Sequence, residues 1–196
     1  MQLLVLVIAL LFSSHLHAGI LTFENLPDAN FFSDAGVNIG TLYAGVTFGP
    51  GVTGLSVTRF GGYNEAAFPP HSGDVVVWSP FDFDTTIAFD TSQALVGVWY
   101  TSLELLTLTA YGAGNAVVGS ATGKPNSDGF SGASSFLSVT APGITSVVLS
   151  GSPGFFVFDD VTSHEAVAEP TTVTLTGIGV ALMLAHRRTA ARRRRR

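Results

Sequence analysis

Cysteine is absent from the 196 residues, so disulfides, thiolate metal sites and a cysteine nucleophile are all excluded. Basic residues are scarce as well. Of nine Lys and Arg, Arg59 and Lys124 are the two that precede Arg187 in the sequence, whereas all 14 Asp and Glu fall between Glu24 and Glu169. So acidic a stretch repels phosphate backbones, which argues against nucleic acid as a partner and is compatible with cations or neutral glycans. Histidine in this central region is limited to His71 and His164, too far apart for a local metal motif, and no Gly-x-Ser-x-Gly elbow is present. The run Gly119 to Lys124 has a phosphate-loop outline, but Val118 stands where the first glycine belongs. Pro125 replaces the hydroxyl residue that would hold magnesium, so the run reads as a turn. These absences speak against an enzyme.

What the chain does contain is concentrated first at its ends. Met1 to Phe12 is almost wholly apolar, and Ser13 to Ala18 supplies a polar stretch ending in a small residue, the pattern of a secretory signal peptide cleaved after Ala18. At the other end, Ala168, Glu169 and Pro170 precede a small-residue apolar segment, read as a transmembrane helix over 171–186. From Thr171 to Ala185 a helix would span roughly 22 Å, short of a hydrocarbon core of roughly 30 Å, and so forms a marginal anchor. Arg187, Arg188, Arg192, Arg193, Arg194, Arg195 and Arg196 follow, and such a cluster holds its end on the cytoplasmic side, leaving the rest of the chain outward.

The motif, the apolar segment and the arginines together resemble the C-terminal sorting signal of bacterial PEP-CTERM proteins, with Ala168 in place of the first proline of Pro-Glu-Pro. The resemblance implies export through the inner membrane, transient anchoring, and cleavage by an exosortase-type membrane protease before arrival at the cell surface or in the extracellular matrix.

Three parts are therefore expected: a signal peptide at 1–18, an ectodomain at 19–165 and a sorting region at 166–196. Across the ectodomain the hydrophobic period is two. Strands are expected at Ile20 to Leu26, Leu42 to Phe48, Leu55 to Phe60, Asp74 to Trp78, Thr85 to Phe89, Leu95 to Thr101, Leu105 to Tyr111, Ala116 to Ser120, Ser135 to Val139, Ile144 to Leu149 and Phe155 to Val161. They are short, β-branched or aromatic, and separated by Gly, Pro, Asn, Asp and Ser clusters, which predicts an all-β antiparallel sandwich. In Leu105 to Tyr111 the even positions are apolar and alternate with Thr107 and Thr109, and Gly112 to Asn115 closes a hairpin into Ala116 to Val118. Gly61 to Gly73 and Gly119 to Gly132 are the loops available for binding.

The segments Leu21 to Pro27, Leu42 to Phe48 and Phe156 to Val161 further resemble the jelly-roll-like ectodomains that precede such sorting tails, themselves similar to carbohydrate-binding jelly rolls. That resemblance implies a structural calcium between Glu24 and Asp159 or Asp160. Adjacent strand residues face opposite ways, so one of the two aspartates is expected inward. The functional expectation is a non-catalytic surface or matrix protein associated with exopolysaccharide, with Trp78, Trp99, Tyr63, Tyr100 and Tyr111 as aromatics for sugar rings or for the core. The alternative is an extracellular glycan-active hydrolase using Asp82 and Asp84, which otherwise form a solvated strand edge.

Overall fold

The computed structural model describes residues 18–26, 36–59, 62–79 and 84–166. They form ten strands: β1 Ala18–Leu21, β2 Val37–Asn38, β3 Val46–Phe48, β4 Thr53–Ser56, β5 Val75–Trp78, β6 Asp84–Ser102, β7 Leu106–Tyr111, β8 Val117–Gly123, β9 Ser135–Ser150 and β10 Phe156–Glu165. Two short 3-10 turns, Phe23–Asn25 and Ala113–Asn115, complete the elements. Every strand pairing is antiparallel, in the order β2-β4-β5-β10-β6-β9-β7-β8, with β1 on β10 and β3 on β6.

This continuous sheet makes a jelly-roll-like sandwich because its two longest strands are shared between layers. The first half of β6 pairs with β3 and the end of β9, while its second half pairs with β10 and the start of β9. Register shifts between Ala88 and Leu95 mark the bend in β6. Pro142, which has no N–H to donate, and Gly143, at φ +74°, mark the bend in β9. The sequence reading splits each of these strands in two. Polar residues 90–93 look like a turn, yet Gln93 is buried and its amide donates to the Thr91 carbonyl at 2.9 Å, so extended backbone continues through the bend.

Alternation places the core. In β7, Leu106, Leu108 and Ala110 are buried while Thr107, Thr109 and Tyr111 are half-exposed, as the alternating sequence predicts. The hairpin turn also forms where expected, with Gly112 N donating to Ala116 O at 2.8 Å and Gly114 at φ +69°. The centre between the layers is aromatic. Phe23 meets Tyr43, Phe48 and Phe158 edge-on, with centroids 5.6, 5.8 and 6.1 Å apart, each contact adding roughly 0.5–1.5 kcal/mol to the area buried.

Elsewhere the expected boundaries move. The opening strand ends at Leu21 and Glu24 lies in the 3-10 turn that follows. Of Leu42 to Phe48, the last three residues are strand. The next strand is Thr53–Ser56 rather than Leu55 to Phe60, and Val37–Asn38 is a strand that the sequence pattern does not announce. Ala18, the expected last residue of the signal peptide, is paired in β1 opposite His164. The rest of that peptide, the motif at 168–170, the segment 171–186 and the arginines lie outside the described residues. Among the described residues no helix is long and apolar enough to cross a membrane.

Candidate functional site

Three consecutive valines in β5 show that the sheet is covered on both faces here. Val75 and Val77 enter the central core, whereas Val76 points the other way and joins Leu55 of β4 and Val157 of β10 in a second apolar cluster. A strand buried on both faces reads as a continuous apolar run, as Val-Val-Val does. The cover is the segment 62–73, from which Tyr63 and Phe68 pack on that cluster beside Trp78. Between cover and sheet lies an open cleft of about 250 Å3, walled by Tyr63, Phe68 and Trp78 over Leu55 and Val157, with Asn64 at its rim. Three aromatic side chains around a cleft of this size offer flat apolar surface to a single ring.

The cover is pinned at several points. Asn64 Oδ1 accepts the Ala67 N–H and its Nδ2 donates to the Gly129 carbonyl, both at 3.3 Å, and Gly132 N donates to the Ala66 carbonyl at 2.9 Å. Gly132 is required for that approach, since a Cβ there would fall 2.2 Å from the Ala67 carbonyl oxygen. The Tyr63 hydroxyl is buried with no hydrogen-bond partner among the described residues, and burial pushes the phenol well above its ordinary range.

The far end of the cover is held by two buried aspartates. Asp159 Oδ2 accepts the backbone N–H groups of His71 and Ser72, each at 2.9 Å, and its Oδ1 accepts the Asp160 N–H at 2.7 Å. Asp160 receives His71 Nδ1–H at 2.6 Å and the Ser72 hydroxyl at 3.0 Å. The His71 ring stacks on Trp99, centroids 3.6 Å apart and planes 9° from parallel, and Phe136 tilts against the indole at 5.4 Å. Alternation would send one aspartate to each face. Instead both are buried beside the cover, because β10 bulges between Asp159 and Thr162 and Asp160 takes φ +43°.

Burial raises the Asp159 carboxyl to about 6, with Asp160 beside it adding to the rise and the Ser72, Asp160 and His71 N–H groups opposing it. The folded state therefore holds the proton more tightly than the unfolded chain, whose value is 3.8. Stability from this group is fully present below the unfolded value and is lost as pH rises through about 6, by roughly 2–3 kcal/mol in all. Urea unfolding between pH 4 and pH 7 should show this decline, and Asp159→Asn should flatten it. An unchanged slope in the variant would assign the pH dependence elsewhere.

Glu24, Asp159 and Asp160, the expected calcium ligands, lie against neighbouring stretches of one segment but in separate hydrogen-bonded groups. Glu24 Oε1 accepts the Asp74 and Val75 N–H groups at 3.2 and 3.1 Å, while Oε2 lies 3.5 Å from Arg59 Nη2. Arg59 also pairs with Asp74 at 3.0 Å. Gly73, at φ +56°, makes room for this carboxylate, since a Cβ would fall 2.1 Å from Glu24 Cδ. Burial raises the Glu24 carboxyl, whereas the Thr58 hydroxyl, ahead of Ser56 and Arg59, holds Asp74 well below the usual range. A calcium ion shared by Glu24 and Asp159 or Asp160 would have to displace these N–H and guanidinium donors. Among the described residues no cluster of three or more His, Asp or Glu is arranged for a metal.

The remaining candidates divide. Asp82 lies outside the described residues, and Asp84 is exposed at the start of β6 opposite Ser150. Tyr100 is core, its hydroxyl donating to the Lys124 carbonyl at 2.9 Å, and Tyr111 is half-buried on the outer side of β7. Trp78 and Tyr63 are brought together in the cleft. Phe68 and Asn64 join them from the loop that the sequence marks only by its length, and His71 appears as an anchor, which its isolated position in the sequence does not suggest.

No protein-family model and no curated protein matches the chain. Solved structures that resemble it include carbohydrate-binding modules and enzymes that carry one. A variant of a family 29 carbohydrate-binding module is 9% identical over 81% of this chain and 97% of that one, with a TM-score of 0.40. A family 6 module from Clostridium stercorarium in complex with cellobiose is 15% identical over 67% and 95%, TM-score 0.39. The module-bearing xylanase 10B of Clostridium thermocellum, complexed with xylohexaose, is 14% identical over 74% of this chain and 28% of that one, TM-score 0.39. The strand pairing described above is what carries the sandwich assignment. The assignment as a PEP-CTERM, exosortase-processed protein with a transmembrane helix is corrected: no family model of that kind matches, and the described residues form a jelly-roll-like, all-β sandwich, the kind of fold to which the comparisons return solved structures.

Proposed function

We propose that residues 18–166 form a non-catalytic glycan-binding module, exported by the apolar N-terminal segment, which stacks a sugar ring in the cleft of Tyr63, Phe68 and Trp78. The observation that carries this reading is the aromatic cleft itself: three aromatic side chains gathered on an outer sheet face, with a polar amide at the rim. Sugar rings present apolar C–H faces edged with hydroxyls, and such a surface matches them. The scarcity of basic groups suits a neutral polysaccharide, exopolysaccharide included, and opposes nucleic acid. Asp159 and Asp160, the buried carboxylates nearest this face, are engaged in holding the cover rather than paired across an open cleft.

Calorimetric titration with soluble β-glucan, xylan and mannan oligosaccharides and with bacterial exopolysaccharide tests the proposal. Trp78→Ala should weaken whichever ligand binds by about tenfold, the equivalent of about 1.4 kcal/mol. Unchanged affinity in the folded variant would move the site away from this cleft. Release of reducing ends from the same panel would replace the binding module with the hydrolase alternative.

A further inference from the structure

A second cleft, of about 180 Å3, lies beside β1, β3, β6 and the far end of β10, and shares no lining residue with the aromatic cleft. Its apolar walls include Leu21, Val46 and Phe89, and its polar side is Thr91, Gln93, Glu165 and Ser163. Gln93 is 3% exposed and sits in the bend of β6, where Nε2 donates to the Thr91 carbonyl at 2.9 Å and to Thr91 Oγ1 at 3.1 Å. Thr91 Oγ1–H in turn donates to Glu165 Oε1 at 3.1 Å. Both amide hydrogens and the hydroxyl hydrogen are thus spent. What is left over is acceptor capacity: Gln93 Oε1 is buried without a partner among the described residues, and a carboxylate has room for several donors.

A buried acceptor left unmade costs roughly 1–3 kcal/mol, and a set with acceptors to spare calls for a ligand that only donates. A hydroxyl brings lone pairs that would need donors of their own, for which the Ser163 hydroxyl has one hydrogen to give, whereas a primary ammonium brings three N–H groups and no acceptor. We propose that this cleft binds the protonated amine of an amino sugar, with the ammonium toward Gln93 Oε1 and Glu165 and the ring against Leu21, Val46 and Phe89. The choice of a sugar as carrier rests on the glycan-binding reading; the ammonium follows from the acceptors alone.

The experiment is an NMR titration of the full chain at pH 6 with D-glucosamine, N-acetyl-D-glucosamine and D-glucose. Glucosamine should shift the Gln93 side-chain amide and the backbone amides of Thr91 and Glu165, at least tenfold more tightly than either neutral sugar, and Glu165→Gln should weaken it by a similar factor. Equal response to all three sugars, or no shift with glucosamine in the folded wild type, would overturn the proposal whether or not the variant folds. Failure of the glycan-binding reading appears separately, as silence of the Trp78 indole signal toward neutral oligosaccharides. Tighter binding of n-butylammonium than of glucosamine would show an ammonium site that does not select a sugar, and would overturn the amino-sugar assignment.

Discussion

Asp159→Ala should lower stability by roughly 3 kcal/mol at pH 7 and abolish ligand binding in the aromatic cleft. Three N–H groups, those of His71, Ser72 and Asp160, lose their common acceptor, and each left unmade in a buried place costs roughly 1–3 kcal/mol. Removing the carboxylate also relieves the burial penalty that raises its pKa, and this relief offsets roughly 2–3 kcal/mol of the loss. The net effect should grow on acidification, because the relief disappears once the wild-type carboxyl is protonated. The end of the cover at His71 and Ser72 would then detach, carrying Tyr63 and Phe68 away from Trp78. Amide hydrogen exchange over 62–73 reports the detachment directly. Full protection of that segment in the variant would mean that Asn64 and Gly132 hold the cover without Asp159.

Phe158→Ala should cost about 3–5 kcal/mol. Phe158 is fully buried, pairs in register with Val77 of β5 and Tyr100 of β6, and meets Phe23 edge-on. Its removal therefore opens a cavity where the β5, β10 and β6 pairings and the Phe23 turn converge. For a domain of this size the midpoint should fall by roughly 10 °C or more. Calorimetry measures the shift, and a loss under about 1 kcal/mol would show that neighbouring aromatics refill the space.

The difference between these two residues shows how far the sequence reaches. Phe158 is legible as a core position, since it sits in an aromatic strand of period two. Asp159 and Asp160 are legible as carboxylates in a strand, but their joint burial depends on a bulge against β6, and their partners lie 87 to 89 residues away. The calcium expectation for Glu24 meets the same difficulty. The sequence places an acid after the first strand, and only the folded chain brings Arg59 and the N–H groups of Asp74 and Val75 onto it.

Determined by sequence alone were the all-β class, the β7 to β8 hairpin and the existence of a long connection ahead of β5, together with the exclusion of disulfides. These depend on period-two burial, turn residues and composition, which act over a few positions or over the chain as a whole. Tertiary structure decided that four expected strands are two bent ones shared between layers, and that the loop lies down on the outer face of β4, β5 and β10. It also decided that Tyr63, Phe68 and Trp78 meet while Tyr100 turns inward. Such outcomes depend on register, and a shift of one residue at a bulge exchanges the two faces of everything beyond it.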